Sequence, residues 1–188
     1  MDFAKFLCKL LITSAFVVSC AAIKHDSIRI VNKLEKEDFK QLNGQYTNNP
    51  NDGSGKLLRS QYNGEYQLKS LWANIDSYQI GSSSDWKTQS VDIEFLTPKK
   101  AIFRLNKGDS LIDKKTVRGK FKDGYFYERP FLVIFPLVPV LFGHNTNRLR
   151  IGKVENGLVA DYKWNTWMFF LIAGQSEKGE SSLIFSKK

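Results

Sequence analysis

Cysteine and histidine are nearly missing from this chain, with Cys8, Cys20, His25 and His144 the only four among 188 residues. That scarcity excludes a disulfide framework, a cysteine–histidine zinc site and most histidine-based acid–base machinery. Proline stands at 5 and glycine at 13, too few for collagen-like or low-complexity scaffolds. No repeat of constant period occurs, which excludes solenoids and propellers. Neither a Gly-x-Ser-x-Gly elbow nor a metal-spaced histidine pair is present, so the chain is expected to be non-catalytic, without cofactor or metal. What the chain does have is aromatic residues: 14 Phe, 7 Tyr and 4 Trp. These predict a dense core or an apolar cavity, and the length predicts a single domain.

The amino terminus has its own pattern. Met1 to Val18 carries Lys5 and Lys9 and then the apolar run Leu10 to Val18, the layout of a secretory signal peptide. That run is far short of the ~20 residues needed to span a bilayer. Val17-Val18-Ser19-Cys20 resembles a bacterial lipobox. The resemblance implies that residues 1–19 are removed and that Cys20 is acylated by palmitate-like chains, which anchor the protein in a lipid bilayer. The competing reading makes Cys20 an ordinary small residue beside an uncleaved anchor. Residues 20–32 would form a lipidated tether and 33–188 one folded, monomeric domain. Ala21, where aspartate signals inner-membrane retention, implies the outer membrane, on its periplasmic or its surface side. Loss of two lysines and one aspartate lowers the net charge only from +9 to +8. Such a basic domain suits anionic headgroups or an acidic envelope partner, and its compartment argues against nucleic acid.

Beyond the tether, Leu34 to Leu42 reads as a short helix, Asn48 to Gly55 as a loop, and Tyr66 to Tyr78 as a second short helix. From Ser90 the period changes to two. Val91, Ile93 and Phe95 alternate with acids, Thr97 to Lys100 turns the chain, and Ala101, Phe103 and Leu105 answer. Further turns fall at Asn106 to Asp109, Asp123-Gly124 and Asn156-Gly157, with a polar loop expected at His144 to Asn147. Met168 to Ala173 and Ser182 to Ser186 read as two closing strands around Gly174 to Gly179. The expected fold is mainly β: a small antiparallel up-and-down barrel of about eight to ten strands, with one or two short helices.

Three pieces carry a resemblance to the lipocalins. A short helix leads into Leu42-Asn43-Gly44-Gln45-Tyr46, with Tyr46 in place of the family's tryptophan. Val159-Ala160-Asp161-Tyr162 is similar to the Thr-Asp-Tyr motif, and Lys187 stands where an arginine packs across the first-strand ring. The resemblance implies a closed barrel that binds an apolar or amphiphilic, lipid-like molecule. Phe103, Phe121, Tyr162, Trp164, Met168 and Phe170 would line its wall. The alternative function is a filled barrel acting as a structural or protein-interaction module of the cell envelope.

Two stretches are candidates for membrane or partner contact. Phe131 to Phe142 holds no polar side chain and includes Pro136 and Pro139. It is read either as a core strand, Phe131 to Phe135, entering a buried bend, or as a lipid-touching loop at the barrel mouth through Phe131, Phe135, Leu137 and Val140. Arg118, Lys120 and Lys122 share one strand face, either as a solvated edge or as an anion patch. Asp92 and Glu94 share another face, expected to be solvent-facing.

Overall fold

The computed structural model describes residues 34–51, 70–76, 87–129, 131–137, 141–170 and 173–188. The leader, Cys20, most of the tether-side segment and Val140 lie outside the described residues. Nine strands form one antiparallel sheet: β1 (Gly44–Thr47), β2 (Gln89–Thr97), β3 (Lys100–Lys107), β4 (Ser110–Lys122), β5 (Tyr125–Glu128), β6 (Phe131–Leu137), β7 (Leu141–Val154), β8 (Gly157–Phe170) and β9 (Ala173–Ser186). A 3-10 helix, Lys36–Leu42, precedes β1, and a short α-helix, α1 (Leu71–Ile75), precedes β2. The mainly β, up-and-down organisation is the one the period-two pattern predicts.

Barrel closure is not. The sheet runs in the order β1-β2-β3-β4-β5-β7-β8-β9, with β6 paired to β7 beside that path. Its outer strands meet at a single bridge, Tyr46 to Lys187, and at a hydrogen bond from Lys188 N to Gln45 O of 2.9 Å. A four-residue β1, already paired to β2 along its whole length, is too short to offer the 14-residue β9 a ladder.

The early turns follow their residues. Pro98-Lys99 joins β2 to β3, and Gly108-Asp109 joins β3 to β4 with Gly108 at φ 58°. Asp123 and Gly124 both take positive φ, 53° and 81°, as a tight two-residue hairpin loop requires. The later half departs from expectation. The β7–β8 loop is Glu155-Asn156, and Gly157 is already the first residue of β8, opposite Val154. His144 to Asn147 is not a loop but part of β7, paired with Asn147 through His144 opposite Trp164 to Trp167. The two short closing strands are instead the ends of continuous 14-residue strands, and the chain reverses between Phe170 and Ala173 rather than around Gly174 to Gly179. The reason is that residues 163–170 and 173–181 lack alternation. Backbone pairing to a long neighbour holds them as strand whatever their side chains. Pro136 sits inside β6 because β6 is an edge strand that needs no donor on its open side.

One apolar cluster draws residues from the first and last strands alike, including Tyr46, Phe103, Ile151 and Phe185, so the open sheet curls around a shared core. Its densest part is aromatic. The Phe95 ring lies 4.9 Å from Phe126, 5.6 Å from Phe121 and 6.3 Å from Phe39, centroid to centroid. Phe39 and Leu42 bring the 3-10 helix onto one end of the curl, near the β2–β3 and β4–β5 turns. At the other end sits α1, started by Ser70, whose hydroxyl accepts from Ala73 N at 3.1 Å. Leu71, Trp72 and Ile75 bury its inner face.

Replacing Phe95 with alanine empties the centre of this ring cluster and is expected to destabilise the fold by about 3 to 5 kcal/mol. Urea denaturation of the two proteins measures the difference.

Candidate functional site

The proposed ligand wall is dispersed. Phe103 and Tyr162 are buried in the core, and Phe121 and Trp164 pack against it partly buried. Met168 is 38% exposed and lies opposite Gly143 and Gln175, outside the curl. Phe170 occupies the last position of β8, opposite Leu141 and Ala173, also beyond the curl. Phe103, Phe121, Tyr162 and Trp164 thus belong to the core cluster or pack on it, while Met168 and Phe170 lie further along β8.

Tyr46 and Lys187 do meet. Tyr46 is buried on β1, and its hydroxyl donates to Leu42 O at 3.0 Å. Burial pushes the Tyr46 phenol up to about 12, so it stays protonated. Lys187 Nζ lies 5.9 Å from the Tyr46 ring centroid and donates to Asn43 O at 2.8 Å. Gly44, at φ 148°, leaves room for that lysine: a Cβ there would fall 2.5 Å from Lys187 Cε.

Asp161 anchors a network that the sequence reading did not foresee. It is fully buried on the outer face of β8, and its Oδ2 accepts from Arg150 Nε at 2.6 Å. Ser182 Oγ donates to its Oδ1 at 2.5 Å. The Arg150 guanidinium stacks 4.3 Å above the Tyr125 ring and reaches the Tyr127 hydroxyl at 3.5 Å. Burial alone would lower the Arg150 pKa, but Asp161 and the Tyr127 hydrogen bond outweigh it and raise it. Arg150 Nη2 has no hydrogen-bond partner. An arginine and an aspartate eleven residues apart carry no local signal. Their pairing depends on the β7–β8 register, Arg150 opposite Asp161.

At the α1 end of the curl, Glu128 of β5 stands among charges. Burial raises its carboxyl to about 7, Lys115 pulls it down and Asp76 pushes it up. Lys115 Nζ also donates to Ile75 O and lies 4.0 Å from Asp76 Oδ1. This group sits where the sheet opens. It brings the Glu128 carboxyl, the Lys115 ammonium and the Asp76 carboxylate together.

The cation row and the apolar stretch occupy different places. Arg118, Lys120 and Lys122 are all exposed on β4, with Lys120 and Lys122 paired against β5. Arg118 O accepts from Arg129 N at 2.7 Å, which puts it beside the start of β6, while Lys122 lies at the far hairpin. Phe131, Phe135 and Leu137 are alternate positions of β6, opposite Asn147, Gly143 and Leu141. Phe131–Leu137 therefore forms a strand paired to β7, and residues 138–140 of the stretch lie outside the described residues. Asp92 and Glu94 are half-buried and accept from Asn106 at 2.8 Å and Arg104 at 2.6 Å, as cross-strand pairs rather than a catalytic couple. Among the described residues no group of three His, Cys, Asp or Glu could hold a metal ion, and no helix is long and apolar enough to cross a membrane. Compared with family models, curated proteins and solved structures, the chain matches none.

Two outcomes follow from these groups. Asp161→Ala leaves Arg150 buried without its counter-charge and is expected to cost about 3 to 5 kcal/mol, whereas Arg150→Met with Asp161→Leu recovers most of that loss; denaturant titration of the three proteins checks it. Because the Glu128 carboxyl is raised from 4.5 to about 7, the folded protein holds an extra proton between those values. Stability should therefore fall as pH rises from about 4.5 through 7, by about 3 kcal/mol. Glu128→Gln should flatten that part of a melting-temperature profile.

Proposed function

We propose that this chain is an acyl-anchored protein of the cell envelope whose β-domain has a filled interior and works as a non-catalytic interaction module at a membrane surface. The observation that carries the filled interior is the aromatic cluster. Phe39, Phe95, Phe121 and Phe126 approach one another at 4.9 to 6.4 Å, with Phe103 fully buried beside them, where a ligand-binding barrel would need space. Supporting the anchor are the charged start, the apolar run and the Val17-Val18-Ser19-Cys20 motif. Two or three acyl chains on Cys20 hold a protein firmly, since each buried CH₂ contributes about 0.8 kcal/mol. The lipocalin-like meeting of Tyr46 and Lys187 then serves as a structural seam between the sheet's outer strands. On this reading the ligand-wall residues are core and seam, and recognition belongs to the surface.

Mass spectrometry of the exported protein is expected to find Cys20 at the amino terminus with a diacylglyceryl adduct. Organic-solvent extraction of the purified, folded chain should release no separate lipid. An unmodified Cys20 would refute the anchor, and one mole of free lipid per mole of chain would refute the filled interior.

A further inference from the structure

β7, β8 and β9 each run about eight residues past the core, carrying β6 with them. The last fully buried core positions are Leu149, Tyr162 and Leu183, Trp164 packs partly buried against them, and the rest of residues 141–148, 163–170 and 173–180 lies beyond. At about 3.4 Å per residue this makes a four-stranded arm some 27 Å long, leaving the body at its α1 end.

Polarity in the arm changes along the strands, not across them. The row nearest the body is Arg148–Lys163–Glu180, and Lys178 and Glu177 hold the next charges, opposite Asn165 and Thr166. Polar side chains then bond across the strands. Thr166 Oγ1 donates to Asn145 Oδ1 at 3.2 Å, and Thr146 Oγ1 to Asn165 O at 3.2 Å. Trp164 and Trp167 flank this band, with Trp167 stacked on Phe169 at 6.4 Å and 6.1 Å from the His144 ring. From His144–Trp167–Ser176 outward no row contains Asp, Glu, Lys or Arg. The last two, Phe142–Phe169–Gly174 and Leu141–Phe170–Ala173, contain no polar side chain at all.

A sheet that packs sideways on a protein partner alternates between an apolar and a polar face. A charged base, a tryptophan and amide band, and an apolar end in axial sequence instead match the layers of a bilayer: headgroups, interface and acyl chains. From this axial order we propose that the β6–β9 arm is a second membrane contact, whose tip enters the headgroup and acyl-chain boundary of one leaflet end-on. Four uncharged rows correspond to about 14 Å, less than half of a ~30 Å hydrocarbon core. Spanning is also opposed by the backbone. Among the described residues no strand pairs with the outer edges of β6 and β9 in the arm, and unpaired N–H and C=O groups deep in hydrocarbon cost several kcal/mol each. Pro136, in the row of Phe142 and Phe169, removes one such donor from the β6 edge. Arg118, Arg129 and Arg148 gather at the base, where anionic headgroups would meet them. The arm deepens the proposed anchoring but stands independently of acylation.

The test uses the full chain carrying Cys20→Ser, so that no acyl group contributes, with and without Met168→Asp and Phe169→Asp. Met168 is solvent-exposed, and circular dichroism and melting temperature confirm that the arm variant folds. Flotation with vesicles of 30% phosphatidylglycerol in phosphatidylethanolamine should show binding that the arm variant weakens at least tenfold. In the same vesicles, lipids brominated near the top of the acyl chain should quench tryptophan emission in the parent chain and not in the arm variant. Equal flotation of both proteins, or no quenching of the parent chain, overturns the proposal. So does concentration-dependent dimerisation that the arm variant abolishes without any vesicle binding, since that assigns the tip to a second copy. An unacylated native Cys20 would refute the anchor while leaving this result unaffected.

Discussion

Burial of the phenylalanine cluster is the interaction on which the rest of the fold depends. Phe95 on β2, Phe121 on β4 and Phe126 on β5 belong to three strands, and Phe39 comes from the 3-10 helix. Bringing their rings to about 5 or 6 Å forces the sheet to curl. Once it curls, β1 and the end of β9 come near each other, and Tyr46 can meet Lys187. The described residues contain no cysteine, so this part of the fold draws its stability from apolar burial of this kind.

The second organising constraint is register. The fourteen unbroken pairs between β7 and β8 set Arg150 opposite Asp161 and, in the same ladder, Asn145 opposite Thr166 and Phe142 opposite Phe169. A slip of one residue would send the buried ion pair to the core face and scatter the layers of the arm. The Arg150–Asp161–Ser182 network gives that register a cost for error, because a misplaced buried charge is expensive. Body and arm are thus coupled through two long strands: the body fixes their alignment, and the alignment arranges the polarity of the arm.

Legibility in the sequence followed the strength of local patterns. Strict alternation from Val91 to Phe95 and from Ala101 to Leu105, and the Asp123-Gly124 turn, placed β2 to β5 closely. The 3-10 helix and α1 fell within the expected helical stretches. Residues 144–147 and 174–179 misled because they are polar or glycine without period, as a loop is. Lys187 beside Tyr46 was foreseen from family likeness. Arg150 beside Asp161 was not, since neither residue announces its partner.

By itself the sequence determined the strand-rich class, the poverty of catalytic groups and the two most apolar runs, because composition and short-range period report what a segment must bury. Only the tertiary structure decided that the sheet stays open, that rings pack inside its curl, and that residues 135–137, 141–143 and 168–170 lie at the same end of one arm. Those outcomes depend on which strands pair and how far each ladder runs. Pairing is settled by contacts between residues distant in the chain, which no local window contains.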